Sequence, residues 1–187
     1  MATLLDFDNA FNFTCSQEGN YDTAYSDRGN WTSGVVGVGE LKGTKYGISA
    51  MSYPNIDIAN LTLGQAKSIY LSDFWNASNC QFFPKAIAIA VFDSAVNQGS
   101  KIAIKFIQEA INATPVDGDF GTESQSAFTN ALAILGEGGI LAAFMAARQQ
   151  GYTEDSEWLI DGKGWIRRTA HYILQWKDGL LNESKSK

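Results

Sequence analysis

A chain of 187 residues, 45% hydrophobic and 18% charged, can bury its own core without staples, as one domain or two small fused halves. A net charge of −6 and a pI near 4.7 leave no basic stripe to displace counterions, which excludes nucleic acid and unaided attachment to anionic lipid. No apolar run approaches the roughly 20 residues of a membrane span, and no basic segment followed by an apolar core marks a signal peptide, so no membrane anchor is expected.

The first element is a short amphipathic helix. Thr3-Leu4-Leu5-Asp6 reads as a capping box, and Phe7, Ala10, Phe11 and Thr14 fall on one helical face. Gly19 suits the left-handed residue that ends such a helix. Glu18 then stands against the last free carbonyls, at the negative end of the helix dipole. That field and nearby aromatics, Tyr21 and Tyr25, favour the protonated carboxyl, the form a general acid needs. The plainer alternative is a frayed surface glutamate.

Cys15 lies in this helix and reads as a small buried apolar residue. With Cys80 it makes two cysteines, too few for a disulfide framework or a zinc cluster. Whether the two pair is left open by the sequence.

Residues 19–49 are glycine-rich and lack helical periodicity. Short β-prone pieces (Trp31-Thr32, Val35 to Val38, Leu41) alternate with turns at Gly39 and Gly43. This predicts a small Gly-rich β-lobe that must pack on helices, being too short to stand alone.

From Thr62 onward the chain reads as helices. Thr62-Leu63-Gly64-Gln65 is a second capping box. Pro84 to Gln98, with Pro84 at the first helical position, is apolar nearly all round, so it should run through the interior. Its polar exceptions, Asp93 and Asn97, are expected to tie it to a neighbouring loop. A helix over Ile102 to Ile111 leads into the turn Thr114 to Gly121. Asp117 and Asp119 there fail the calcium-loop pattern, because no Glu closes it, and no metal or cofactor is expected. Thr122-Glu123-Ser124-Gln125 caps the next helix, Gly136 breaks it, and a further helix runs from Ile140 to Gln150. A polar loop at 152–163 precedes a last helix, Gly164 to Lys177, with Trp165, Thr169, Tyr172, Ile173 and Trp176 on one stripe. The tail at 179–187 is polar and expected to be disordered.

Several chemistries are excluded. The single histidine, His171, stands alone in the last helix, and there is no GxSxG, P-loop or strand-linked GxGxxG. Carboxylates are the remaining acid–base groups, and an acidic cleft without metal suits glycoside hydrolysis.

Several stretches then carry a resemblance. Gln17-Glu18-Gly19-Asn20-Tyr21 resembles the E-G-G-Y signature of the glycoside hydrolase family 108 N-acetylmuramidases, with Asn20 for the second glycine. Gly43-Thr44-Lys45-Tyr46-Gly47-Ile48-Ser49 is similar to the family's T-x-x-G-I-T segment, with Ser49 for the last Thr. Phe92 to Gly99, Phe106-Ile107-Gln108, Asp117 to Thr122 and Gly164 to Arg168 resemble its peptidoglycan-binding-like C-terminal region. The resemblance spans about residues 5–178, and the motifs occur in the family's order.

The resemblance implies a mainly α, lysozyme-like helical fold and hydrolysis of the MurNAc–GlcNAc β-1,4 bond. It implies one compact unit with a catalytic half at 1–98 and a binding-like half at 99–178, and it makes Glu18 the catalytic acid. A wider similarity to small phage lysozymes adds Asp27, nine residues after Glu18, and Thr44, ahead of Gly47-Ile48 after an insertion at about 32–43. Asp27 would activate water or stabilise the oxocarbenium-like centre, and Thr44 would position the water. A turn-capping Asp and a loop Thr bonded to its own backbone are the alternatives. Asp22 is the reserve carboxylate, and Tyr21, Asp22, Tyr25 and Tyr46 are candidate sugar contacts. The implied protein is a monomeric phage endolysin acting on peptidoglycan glycan strands, held in the host cytoplasm until the membrane is permeabilised. A lytic transglycosylase and a non-enzymatic wall-binding or virion protein are the competing readings.

Overall fold

The computed structural model describes residues 1–15 and 21–153 and, further on, residues 162–164, 166, 167, 169, 170 and 172. Glu18 and Gly19 lie outside the described residues, as do Trp158, Trp165, His171, Ile173, Trp176 and the tail. The chain is mainly helical with one small antiparallel sheet of two strands, the expected fold class. It divides into two compact units, one of Asp8–Asp73 and one of Met1–Phe7 with Phe74–Lys187.

Helix α1 (Leu4–Cys15) starts as its sequence dictates. Thr3 N–H and hydroxyl both donate to Asp6 Oδ2 at 2.8 Å, and Asp6 N–H returns to Thr3 Oγ1 at 3.3 Å. Burial raises the Asp6 pKa, but the two Thr3 bonds and nearby Lys85 outweigh it and hold the carboxyl below its usual value. Phe7, Ala10 and Phe11 are buried along the predicted face. Cys15 and Cys80 are both buried thiols.

The Asp8–Asp73 unit holds the rest of α1, the Gly-rich lobe and α2 (Leu63–Tyr70). Strands β1 (Thr44–Lys45) and β2 (Ile48–Ser49) pair antiparallel, Thr44 opposite Ser49 and Lys45 opposite Ile48. Tyr46 (φ 52°) and Gly47 (φ 75°) form the two-residue turn between them, and positive φ at both positions matches strand twist in a hairpin. Val35 to Val38, expected to be β-prone, instead form exposed turns. Gly34, Gly37 and Gly39 all have positive φ, which interrupts any strand there. Trp31 and Leu41 pair across this insertion as an isolated bridge, and Thr32 N–H donates to the Glu40 carbonyl at 3.0 Å. Helix α2 carries the predicted capping box. Its Tyr70 is buried, lies edge-on to Phe11 at 5.3 Å, and donates its hydroxyl to the Tyr46 carbonyl at 3.1 Å. That bond holds the hairpin turn against the helix.

The other unit is built around α3 (Lys85–Gln98), with Ile87 through Ala95 all buried, as the unbroken apolar run predicts. Pro84 is the residue before the helix rather than its first member. Helix α4 (Ser100–Ala110) and helix α5 (Thr122–Thr153) pack on it. Asp93 and Asn97 reach α5 rather than a loop. Arg148 Nη2 stands 2.8 Å from Asp93 Oδ2, both side chains fully buried, and Tyr152 donates to Asn97 Oδ1 at 2.7 Å. Helix α5 begins at Thr122 itself, with Gln125 N–H on the Gly121 carbonyl, so Thr122 is not its cap.

Gly136 (φ 68°, ψ 174°) breaks α5 where predicted. By length and composition α5 is long and apolar enough to cross a membrane, although no uninterrupted apolar run in the sequence announces it. The break leaves segments 122–135 and 137–153, each shorter than a span of roughly 20 residues. The described residues between 162 and 172 are helical, with Thr169 and Tyr172 buried on the expected stripe.

Candidate active site

Two of the candidate residues, Asp22 and Thr44, meet at one buried side chain in the Asp8–Asp73 unit. Asp22 and Thr44 form an antiparallel bridge, with Asp22 N–H to Thr44 carbonyl at 2.9 Å and Thr44 N–H to Asp22 carbonyl at 2.8 Å. Between them lies Asn30, fully buried at the end of the 3-10 turn Arg28–Asn30. Its amide nitrogen donates to Asp22 Oδ2 and to the Ala24 carbonyl, each at 3.1 Å. Its amide oxygen accepts the Thr44 hydroxyl at 2.7 Å. Its backbone carbonyl accepts the N–H groups of Lys42 and Gly43, both at 3.0 Å. Asn30 therefore satisfies its polar atoms entirely within the loop, as a buried amide must.

This closeness requires Gly43. A methyl group there would stand 2.4 Å from the Asp22 carbonyl oxygen, at a φ of 84° that L side chains avoid. The glycine of the Gly-Thr segment is thus fixed by the approach of two backbones.

The other predicted residues are placed as follows. Asp27 is exposed and caps the 3-10 turn, its Oδ1 accepting Gly29 N–H at 2.8 Å. Among the described residues its Oδ2 has no hydrogen-bond partner. Asp22 engages both oxygens, Oδ1 with Ala24 N–H at 3.1 Å and Oδ2 with Asn30. Tyr21, half-exposed, donates its hydroxyl to the Lys42 carbonyl at 3.0 Å. Tyr25 is exposed, with its ring edge-on to the buried Trp31 at 4.9 Å and its carbonyl accepting the Trp31 indole N–H at 2.9 Å. Tyr46 occupies the hairpin turn with the Lys45 ammonium 5.6 Å from its ring centre. Thr44 bonds to a side chain, not to its own backbone.

Asn30 is the residue that sequence reasoning missed. A glycine-rich loop has no periodicity to reveal burial. Among the described residues no three His, Cys, Asp or Glu side chains converge as a metal site would require.

Residues 11–99 match the family described as Glycosyl hydrolase 108. The matched stretch, 89 of the 187 residues, includes Glu18, Asp22, Asp27, Asn30 and Thr44. The fold is also similar to a solved structure of Brucella abortus SagA, with a TM-score of 0.73 at 22% identity over 92% of this chain and 94% of that one. No curated protein is similar enough to the chain to count as a match.

Proposed function

We propose that this protein is a peptidoglycan hydrolase that cleaves the MurNAc–GlcNAc β-1,4 bond, an endolysin of phage type. The observation that carries the reading is the Glycosyl hydrolase 108 match lying over the loop in which Asn30 joins Asp22 to Thr44.

In this proposal Glu18, protonated, donates to the departing O4 of GlcNAc as positive charge develops at C1 of MurNAc. Asp27 is its ionised partner. One of its oxygens is anchored on Gly29 N–H, which fixes the carboxylate while the other oxygen faces the reaction. Thr44 holds the attacking water. A carboxylate separation of roughly 6.5–9.5 Å would go with inversion and about 5–5.5 Å with retention. Tyr21, Tyr25 and Tyr46 offer ring faces to the sugars, since an aromatic body with a polar tip suits a wet groove. Residues 1–98 supply the chemistry and 99–178 hold the wall. The enzyme works as a monomer, resides in the host cytoplasm and meets its substrate once the membrane is breached.

Mass spectrometry of fragments released from purified peptidoglycan tests this. Hydrolysis adds water and yields reducing MurNAc ends. Anhydro-MurNAc ends would identify a lytic transglycosylase instead, and no release at all would leave a wall-binding protein.

A further inference from the structure

Asn30 occupies a place in this loop from which it can set the direction of a proton. Its amide nitrogen faces two acceptors, Asp22 Oδ2 and the Ala24 carbonyl. The reverse orientation would set the amide oxygen against both, with no proton between them. The amide is therefore fixed with its oxygen toward Thr44, 2.7 Å from Thr44 Oγ1. A carboxamide oxygen can only accept, so the Thr44 hydroxyl must donate to it. The one hydroxyl proton is committed, and what Thr44 presents to a reacting group is its lone pairs alone.

We propose that Asn30 is a positioning residue that makes the Thr44 hydroxyl an obligate acceptor, so that an attacking water gives it one proton and is oriented by that bond. A threonine free to rotate could also donate to the water oxygen, which would engage the lone pair needed for attack on C1. Fixing the hydroxyl removes that arrangement. Asp22 acts one step further back, because its carboxylate, held by Ala24 N–H at 3.1 Å, anchors the amide nitrogen. The inference rests on the glycoside hydrolase reading, and it assigns a role to a side chain with no direct access to substrate, being fully buried.

The test is a double-mutant cycle on soluble MurNAc–GlcNAc oligosaccharides with Asn30→Gly, Thr44→Val and the pair. Asn30→Gly keeps the backbone carbonyl that holds Lys42 and Gly43. Each single change should lower kcat by about 10- to 100-fold with KM altered by less than about 2-fold, the scale of a misplaced reacting group. The pair should be no worse than Thr44→Val alone, because Asn30 acts only through that hydroxyl. Multiplying effects, or a change mainly in KM, would overturn the inference. Should Asn30→Gly fail to fold, Asn30→Ser takes its place in the same cycle, with kcat lowered as above and the pair again no worse than Thr44→Val alone. A Val variant as active as the parent would overturn it. An unaltered chain that releases nothing from peptidoglycan would overturn the hydrolase reading and this inference together, whereas a cleaving chain with multiplying effects overturns this inference alone.

Discussion

Asp93 of α3 and Arg148 of α5 meet at 2.8 Å with no solvent exposure on either side chain. Gln98 supports the pair, its Oε1 accepting Arg148 Nε at 3.2 Å and the Ser94 hydroxyl at 3.2 Å. The Tyr152 ring lies 5.5 Å from the guanidinium carbon. Nearby, the Tyr172 hydroxyl donates to the Ala86 carbonyl, and burial, then the Asp93 charge, push its phenol well above the usual tyrosine range. An apolar helix core thus contains one ionic contact whose members depend on each other.

Removing either member should cost far more than removing both. Arg148→Met leaves a buried carboxylate and is expected to lower stability by about 3–5 kcal/mol. The double change Asp93→Leu with Arg148→Met should recover most of that loss, since a well-packed apolar pair is often neutral. Urea titration of the three variants checks this. Additive losses would show the two charges to be independent.

The turn before α5 is organised by a buried glutamine. Gln108 Nε2 lies within hydrogen-bond distance of Asp117 Oδ1 at 2.9 Å, the Asp119 carbonyl at 3.0 Å and Ser124 Oγ at 3.0 Å, three acceptors for its two protons, and its Oε1 accepts Gly118 N–H at 2.8 Å. Phe120, docked here, packs against Phe83 at 4.8 Å and Phe82 at 5.3 Å. Gln108→Leu should destabilise by about 1–3 kcal/mol, because several polar groups lose their partner at once.

The same glutamine has a pH signature. Its bond to Asp117, with help from Asp119 N–H, holds the Asp117 carboxyl below its usual value of 3.8. A carboxyl depressed in the folded state adds stability above its unfolded value, and that stability is lost as pH falls through the folded value. In the native chain, stability should therefore rise with pH across this acidic window. In Gln108→Leu the rise should be shallower. Urea midpoints measured between about pH 2.5 and pH 5 would check it, and parallel curves would contradict it.

Gly43→Ala should open the bridge between Asp22 and Thr44. The added methyl would stand 2.4 Å from the Asp22 carbonyl oxygen and 2.7 Å from the Tyr21 ring. Hydrogen exchange should become faster at the Asp22 and Thr44 amides, with α3 to α5 unaffected. Exchange as slow as in the parent would mean that the lobe absorbs the methyl without parting.

The starts of α1 and α2 and the break in α5 were legible because their signals are local, whereas Pro84 and Thr122 each stand one position from the role expected of them. Thr3 with Asp6 and Thr62 with Gln65 each carry a complete cap within four residues, and Gly136 breaks α5 where a glycine predicts. The all-apolar α3 likewise announced its burial. What stayed hidden depends on contacts distant in sequence. Nothing near Asp93 points to Arg148, and nothing near Asn30 points to Thr44. In the candidate site, the similarity to small phage lysozymes singled out Asp27 and Thr44, but only coordinates reveal the amide between Asp22 and Thr44. The insertion at 32–43, rich in valine, looked like strand material, whereas its positive-φ glycines make it a series of turns.

In the proposed function one carboxylic acid, Glu18, breaks the glycan. Purified peptidoglycan should be incubated with the parent and with Glu18→Gln, both shown to be folded by circular dichroism, and new reducing ends counted. Loss of the general acid should reduce their release by at least about 100-fold. A folded Glu18→Gln variant that releases them at the parental rate would contradict the account.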